Sequence, residues 1–212
     1  MNVSYLQDRL DWGLNRAANI LGKMTDAYRP EGSSTPLDRS NRFLRLHVVF
    51  SRCDGNFDQS VGYGSALWRG YFDSSYTRVG DYLVQNEDIW FIVSQQSLLP
   101  VLCVKANKTI SIARQLTPDN TTSSNLVPLG STINVISEWP VSMLGTGTEG
   151  RSATQLPGDT RIPTVTALLP SIHGQTIEPA DIITDEYGAS GIVVATELSD
   201  LGWRLNVRSV TT

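Results

Sequence analysis

The sequence predicts a mainly β protein: a small antiparallel barrel or sandwich, led by an N-terminal helix and followed by a second β region. Three observations predict it. Between residues 81 and 114, short apolar runs rich in Val, Ile, Trp and Phe alternate with turn-forming pairs. No amphipathic stretch of helical length separates those runs, as a parallel βαβ unit would require. The run Trp203 to Val210 alternates without a fault, with Trp203, Leu205 and Val207 on one side and Arg204, Asn206 and Arg208 on the other.

The elements follow in order. Val3, Leu6, Leu10, Leu14, Ala17, Ala18, Leu21 and Met24 recur at spacings of three and four, which predicts one helix over about the first 25 residues. Ser4 with Gln7 has the spacing of a capping box, and Gly22 lies near the expected end. Residues 29–40 carry Pro30, Gly32 and Pro36 without periodicity, as expected of a mobile arm or long surface loop. Phe43 to Phe50 is rich in aromatic and β-branched residues and reads as a strand. Asp54-Gly55 is a hairpin signal, and residues 66–72 read as a short strand anchored by Trp68.

Then come strands at 81–84, 89–93, 98–104 and 109–114. Pro100 requires a strand start, an edge or a bulge, and Thr109 to Arg114 is read as closing this set. Residues 115–130 read as a linker. Beyond it, strands are expected at 132–136, 139–144, 164–169, 191–196 and 203–210, with an acidic loop at 184–190. The expected organisation is a helix over 1–28, a barrel-like domain over 29–116, and a second β domain or elaboration over 131–212.

Composition narrows the function. Seventeen basic and 21 acidic side chains give a net charge of −4, which does not suit a groove-filling nucleic-acid binder. Two cysteines, Cys53 and Cys103, and two histidines, His47 and His173, do not make a Cys/His metal centre. They read best as two thiols in a reducing compartment and two residues of strand and turn. No run approaches the length needed to span a bilayer, so no membrane partner is expected.

Neither standard phosphate-binding loop is present, and HExxH and GxSxG are absent. Gly62-Tyr63-Gly64 sits between loop and strand, the wrong context for a nucleotide loop. Asp181, Asp185 and Glu186 lack calcium-loop spacing. No catalytic residue, cofactor or metal is assigned, and the chain is not expected to be an enzyme. Arg39, Arg42, Arg45 and Arg52 form the clearest basic cluster, either a charged solvent face or a patch toward an acidic partner. Lys105, Lys108 and Arg114 form a smaller group. Trp68, Trp139 and Trp203 admit a stacking platform for carbohydrate, although a tryptophan in a β protein commonly sits in the core.

Three stretches carry a resemblance. Arg78-Val79-Gly80-Asp81-Tyr82-Leu83-Val84, the tryptophan-bearing run Ile89 to Gln96, and Leu98 to Val104 together resemble small β-domains in neck and head-closure proteins of tailed bacteriophages. The resemblance covers about residues 39–114. It implies a non-enzymatic virion protein, assembled in the host cytoplasm. Such a protein forms a homo-oligomeric ring between a portal or adaptor and the tail proteins, through which DNA passes without specific contact. The alternatives are a baseplate or tail attachment protein, or a carbohydrate- or receptor-binding β module. The expected assembly contacts are Leu6, Leu10 and Leu14 on the helix, Arg39, Arg42 and Arg45 at the strand entry, and Trp68.

Overall fold

The computed structural model describes residues 3–52, 66–115, 132–145 and 164–209. One helix, α1 (Val3–Leu21), precedes twelve strands. Six of them, β1 (Lys23–Tyr28), β2 (Arg42–Arg52), β3 (Leu67–Tyr71), β4 (Tyr82–Gln85), β5 (Asp88–Ser94) and β6 (Val101–Ala106), close a barrel in the order β1-β2-β3-β6-β5-β4. The other six are β7 (Lys108–Gln115), β8 (Thr132–Gly145), β9 (Thr164–Leu169), β10 (Ile182–Asp185), β11 (Ser190–Ser199) and β12 (Gly202–Ser209). They close a second barrel in the order β7-β8-β9-β12-β11-β10. All pairings are antiparallel. Closure leaves neither sheet an open edge, the usual hazard of β proteins.

The second barrel repeats the first strand for strand. Asp26, Ala27 and Tyr28 of β1 pair with Val84, Leu83 and Tyr82 of β4, and Ser111, Ile112 and Ala113 of β7 pair with Thr184, Ile183 and Ile182 of β10 in the same register. Both barrels carry a bulge at one equivalent place. On β5 the register slips between Ile92 and Ser94, leaving Val93 extra; on β11 it slips between Val193 and Ala195, leaving Val194 extra. The turn before β4 recurs before β10: Gly80 and Ala180 both take positive φ, +94° and +76°. Their amides donate to the carbonyls of Ile92 and Val193, and the amides of those residues return bonds to Asp81 and Asp181. Two barrels of this topology with a shared bulge and turn are one structural unit used twice.

The units pack in series. Leu83, Trp90, Ile92, Val101 and Cys103 fill the first barrel with Ala27, Val48 and Phe72. The alternate residues of the same strands, Tyr82, Phe91, Val93 and Val104, point outward and join the core of the second barrel. Tyr82 meets Trp139 edge-on at 6.1 Å and donates its hydroxyl to the Pro140 carbonyl. Burial raises the Tyr82 phenol well above its ordinary value, so it remains a donor. Asn107 alone links β6 to β7. Its side chain donates to the Met143 carbonyl and accepts from the Met143 amide, pinning the crossing.

Several expectations change. The helix ends at Leu21 rather than near residue 25. The Gly22 amide closes on the Ala18 carbonyl, and a Cβ there would sit 2.5 Å from that oxygen and 2.9 Å from the Val48 carbonyl oxygen. Met24 therefore belongs to a strand, and residues 23–28 complete the first barrel instead of extending the helix. Thr109 to Arg114 does not close the first set; it opens the second.

Of the two alternatives for residues 29–40, the structure shows the long surface loop. They run between the barrels, where the Ser33 carbonyl accepts from the Trp139 indole and the Ser137 amide, and Pro36 is buried. They end in a short 3-10 helix, Arg39–Asn41, capped by Asp38. The two strands expected over 132–144 are one, β8, deformed at Glu138, whose φ is +55°. β10 is a strand the sequence does not predict, and its last two residues, Thr184 and Asp185, fall in the loop expected over 184–190. Pro100 does precede a strand start. The hairpin signal Asp54-Gly55, Gly62-Tyr63-Gly64, Cys53 and residues 116–130 of the expected 115–130 linker lie outside the described residues, and Gln115 ends β7.

Candidate functional site

A groove of about 560 Å³ lies where residues 29–32 and the turn before β4 meet the loop after β9. Arg29, Arg78, Asp81, Trp139 and His173 line it. Its most ordered feature is an ion pair. Arg29 Nε and Nη2 donate to the two oxygens of Asp81 at 2.9 and 2.8 Å, and Nη2 also reaches the Tyr76 carbonyl. The Arg78 amide donates to the same carboxylate. Hydrogen bonding to Asp81 raises the Arg29 guanidinium above its ordinary value.

The second barrel repeats this constellation. Arg114 holds Asp181 at 2.8 and 2.9 Å and reaches the Thr176 carbonyl, and the Glu178 amide joins in. In each barrel an arginine at the end of the first strand clasps the aspartate just before the fourth. Repetition assigns the clasp to closing the barrel, not to chemistry in one groove. His173 is exposed in a turn, and His47 sits half-buried on β2, outside the groove. Among the described residues no group of three or more His, Cys, Asp or Glu is placed to hold a metal ion.

The basic cluster is largely committed. Asp26 binds Arg45 at 2.6 Å and Arg42 at 3.5 Å, and the Arg45 bond lowers the Asp26 carboxyl. Arg52 lies 5.4 Å over the Trp68 ring, while Arg39 is exposed on the 3-10 helix. Lys105 pairs with Asp88, and Arg114 with Asp181 and Glu178. The acidic residues singled out in the sequence are held the same way. Asp185 accepts from Lys108 at 2.6 Å and from the amides of Tyr187 and Ala189, and Glu186 accepts from the Thr109 amide.

The Lys108 bond, chiefly, lowers the Asp185 carboxyl. A carboxyl lowered in the folded state stabilises above its unfolded value of about 4 and loses that contribution as pH falls through the folded value. Lys108→Met is therefore expected to lower the melting temperature at neutral pH, and the deficit should shrink as the pH drops below about 4. Thermal melts across that range check it.

No family model matches the chain, and no curated protein or solved structure does either.

Trp68, Trp139 and Trp203 do not share an exposed face. Trp139 and Trp203 are buried in the second barrel's core. Trp68 is half-buried, edge-on to Trp90 at 6.2 Å, and Trp90 stacks on Phe50 at 3.9 Å. Leu6, Leu10 and Leu14 are half-buried at the flank, while Asp11 and Ala18 are the buried positions. Asp11 is held by Gln7 and Ser74, and Gln7 also accepts from the Leu98 amide. The outward side of α1 carries Tyr5 and Trp12, and Trp12 is 62% exposed.

Among the described residues, two apolar faces that are uncovered bear on function. One is this outer side of α1. The other is on β11, and the repeat makes it informative. Phe91 and Val93 on the first barrel are 0% and 2% exposed, because the second barrel covers them. Their equivalents on the second barrel, Ile192 and Val194, are 42% and 55% exposed. Neither face was singled out from the sequence. The signal that leads to the β11 face is the match of Gly80-Asp81-Tyr82-Leu83 with Ala180-Asp181-Ile182-Ile183.

Proposed function

We propose that this chain is a structural virion protein of a tailed-bacteriophage neck. On this reading, copies form a ring that joins the portal or an adaptor to the tail and lets DNA pass without specific contact. The resemblance of residues 39–114 to neck and head-closure proteins sets the class. The observation that carries it is the β11 face: a surface the chain covers on one barrel is left open on the other. Large apolar side chains grouped on a surface mark an interaction site.

The contact set changes with the geometry. Tyr5 and Trp12 take the place of Leu6, Leu10 and Leu14, which lean toward the barrel. Arg42 and Arg45 are held by Asp26, so Arg39 is the arginine of that group best placed to meet an acidic partner. The direct test is sedimentation of the purified chain with head and tail intermediates of the encoding phage. Association with heads carrying portals, in a fixed ratio, is expected. Association with neither heads nor tails contradicts the reading, and association with tails alone moves the chain to a tail station.

A further inference from the structure

Helix α1 has an inner side bonded to the first barrel and an outer side that is exposed. Asp11 and Ala18 mark the inner side, where Asp11 accepts from Gln7 and Ser74. Steps of three and four from Tyr5 reach Arg9, Trp12, Arg16 and Ile20, so these five share the outer side. All five are exposed. Rings and arginines alternate along the row, and Arg16 lies over the Trp12 ring at 5.7 Å. Asp8 stands at the edge of the row, one helical turn from both Tyr5 and Trp12. Lys23 follows Arg9 and Arg16 at the same spacing of seven, exposed at the start of β1.

The two arginines stand apart from those of the barrels. Arg29, Arg45 and Arg114 each bind a carboxylate that ties strands together. Among the described residues, Arg9 and Arg16 meet no carboxylate, and no bond within the fold calls for their charge. We propose that the outer side of α1 docks an amphipathic helix of another protein, with apolar side chains against Tyr5, Trp12 and Ile20 and carboxylates against Arg9 and Arg16. This rests on the assembly reading above and names the chemistry of the partner that α1 meets.

Spacing selects a helix. Tyr5 and Trp12 are seven residues apart, and so are Arg9 and Arg16. Each pair therefore repeats at about 10.5 Å along the axis, as two rows side by side. A second helix laid along α1 presents every seventh residue at the same repeat, and charged rows flanking an apolar seam set which helices pair. Charge selects a protein. An anionic lipid surface or a nucleic-acid backbone would meet Asp8 with like charge and leave the apolar row without an apolar counterpart. A protein places carboxylates opposite the arginines and a cation or amide opposite Asp8.

The experiment is charge reversal, Arg9→Glu with Arg16→Glu, read by sedimentation of the full chain with nuclease-treated heads and tails of the encoding phage. Neither arginine holds the fold, so the double variant is expected to fold, and circular dichroism checks that. Its association should weaken by about tenfold or more, and Arg9→Gln with Arg16→Gln, which only removes the charge, should weaken it less. A photo-crosslinking phenylalanine analogue in place of Trp12 then identifies the segment it touches. A helix of another virion protein bearing Asp or Glu is expected, and replacing those acids with Lys should restore binding to the reversed variant. Association untouched by the reversal overturns this interface and leaves the neck reading standing. A crosslink to a second copy of the chain, to nucleic acid, to lipid or to a segment without acidic residues also overturns it. A wild type that binds neither heads nor tails overturns the interface and the neck reading together.

Discussion

Replacing Asp81 with Ala is expected to cost about 3–5 kcal/mol of stability, and replacing Asp181 with Ala a similar amount. Each carboxylate is almost wholly buried and receives two bonds from an arginine and one from a backbone amide. Alanine leaves the arginine and the amide without that acceptor at the point where the first strand meets the fourth and the barrel closes. Urea unfolding of the two variants measures the loss. Asp81→Asn and Asp181→Asn keep shape and an acceptor, so they should cost less. The equality matters as much as the size. If the barrels are one unit used twice, the clasp has the same importance in each. A large loss from one aspartate with almost none from the other would contradict that.

Little of this duplication was legible in the sequence, and the reason is physical. Equivalent positions meet the same backbone demands but different neighbours. Trp90 in the first barrel answers to Gly191 in the second, Leu46 to Trp139, and Ala27 to Ile112. Large and small side chains have traded places at these positions, so the backbone repeats while the letters do not. What persists is the part the backbone dictates: the positive-φ residue, the aspartate after it, and the arginine that holds it.

The strands themselves read well where one face meets a core and the other does not. β12 alternates because Trp203, Leu205 and Val207 point inward while Arg204, Asn206 and Arg208 do not. β5 and β6 read as continuous apolar runs because both their faces are covered, one by each barrel. The strand over residues 23–28 is hidden in the sequence because Met24 fits the helix stripe. Only the close approach of Gly22 to β2 shows why the helix stops. The strap over 29–37 has loop composition and no periodicity. Its order comes from bonds made to Trp139 and Ser137, far along the chain, which local sequence does not encode. The faces were illegible for the same reason, since exposure of Ile192 depends on which barrel side meets its neighbour.

The second large effect separates the two faces. Phe91→Ala is expected to cost about 3–5 kcal/mol, since the ring is fully buried where the barrels meet. Ile192→Ala, at the equivalent position, should change the stability of the isolated chain by no more than about 0.5 kcal/mol. The same pair of variants should reverse in assembly: Ile192→Ala folds normally and assembles poorly. Chemical denaturation gives the first comparison, and solution mass gives the second. Equal losses of stability at the two positions would mean that the β11 face is already covered within one chain.

An assembling structural component is the role proposed for this chain, and its solution mass is the decisive measurement. Light scattering after size exclusion, over a range of protein concentrations, should show a discrete species of several copies that dissociates on dilution. A single species of one chain's mass, 23.3 kDa, at every concentration would contradict the claim.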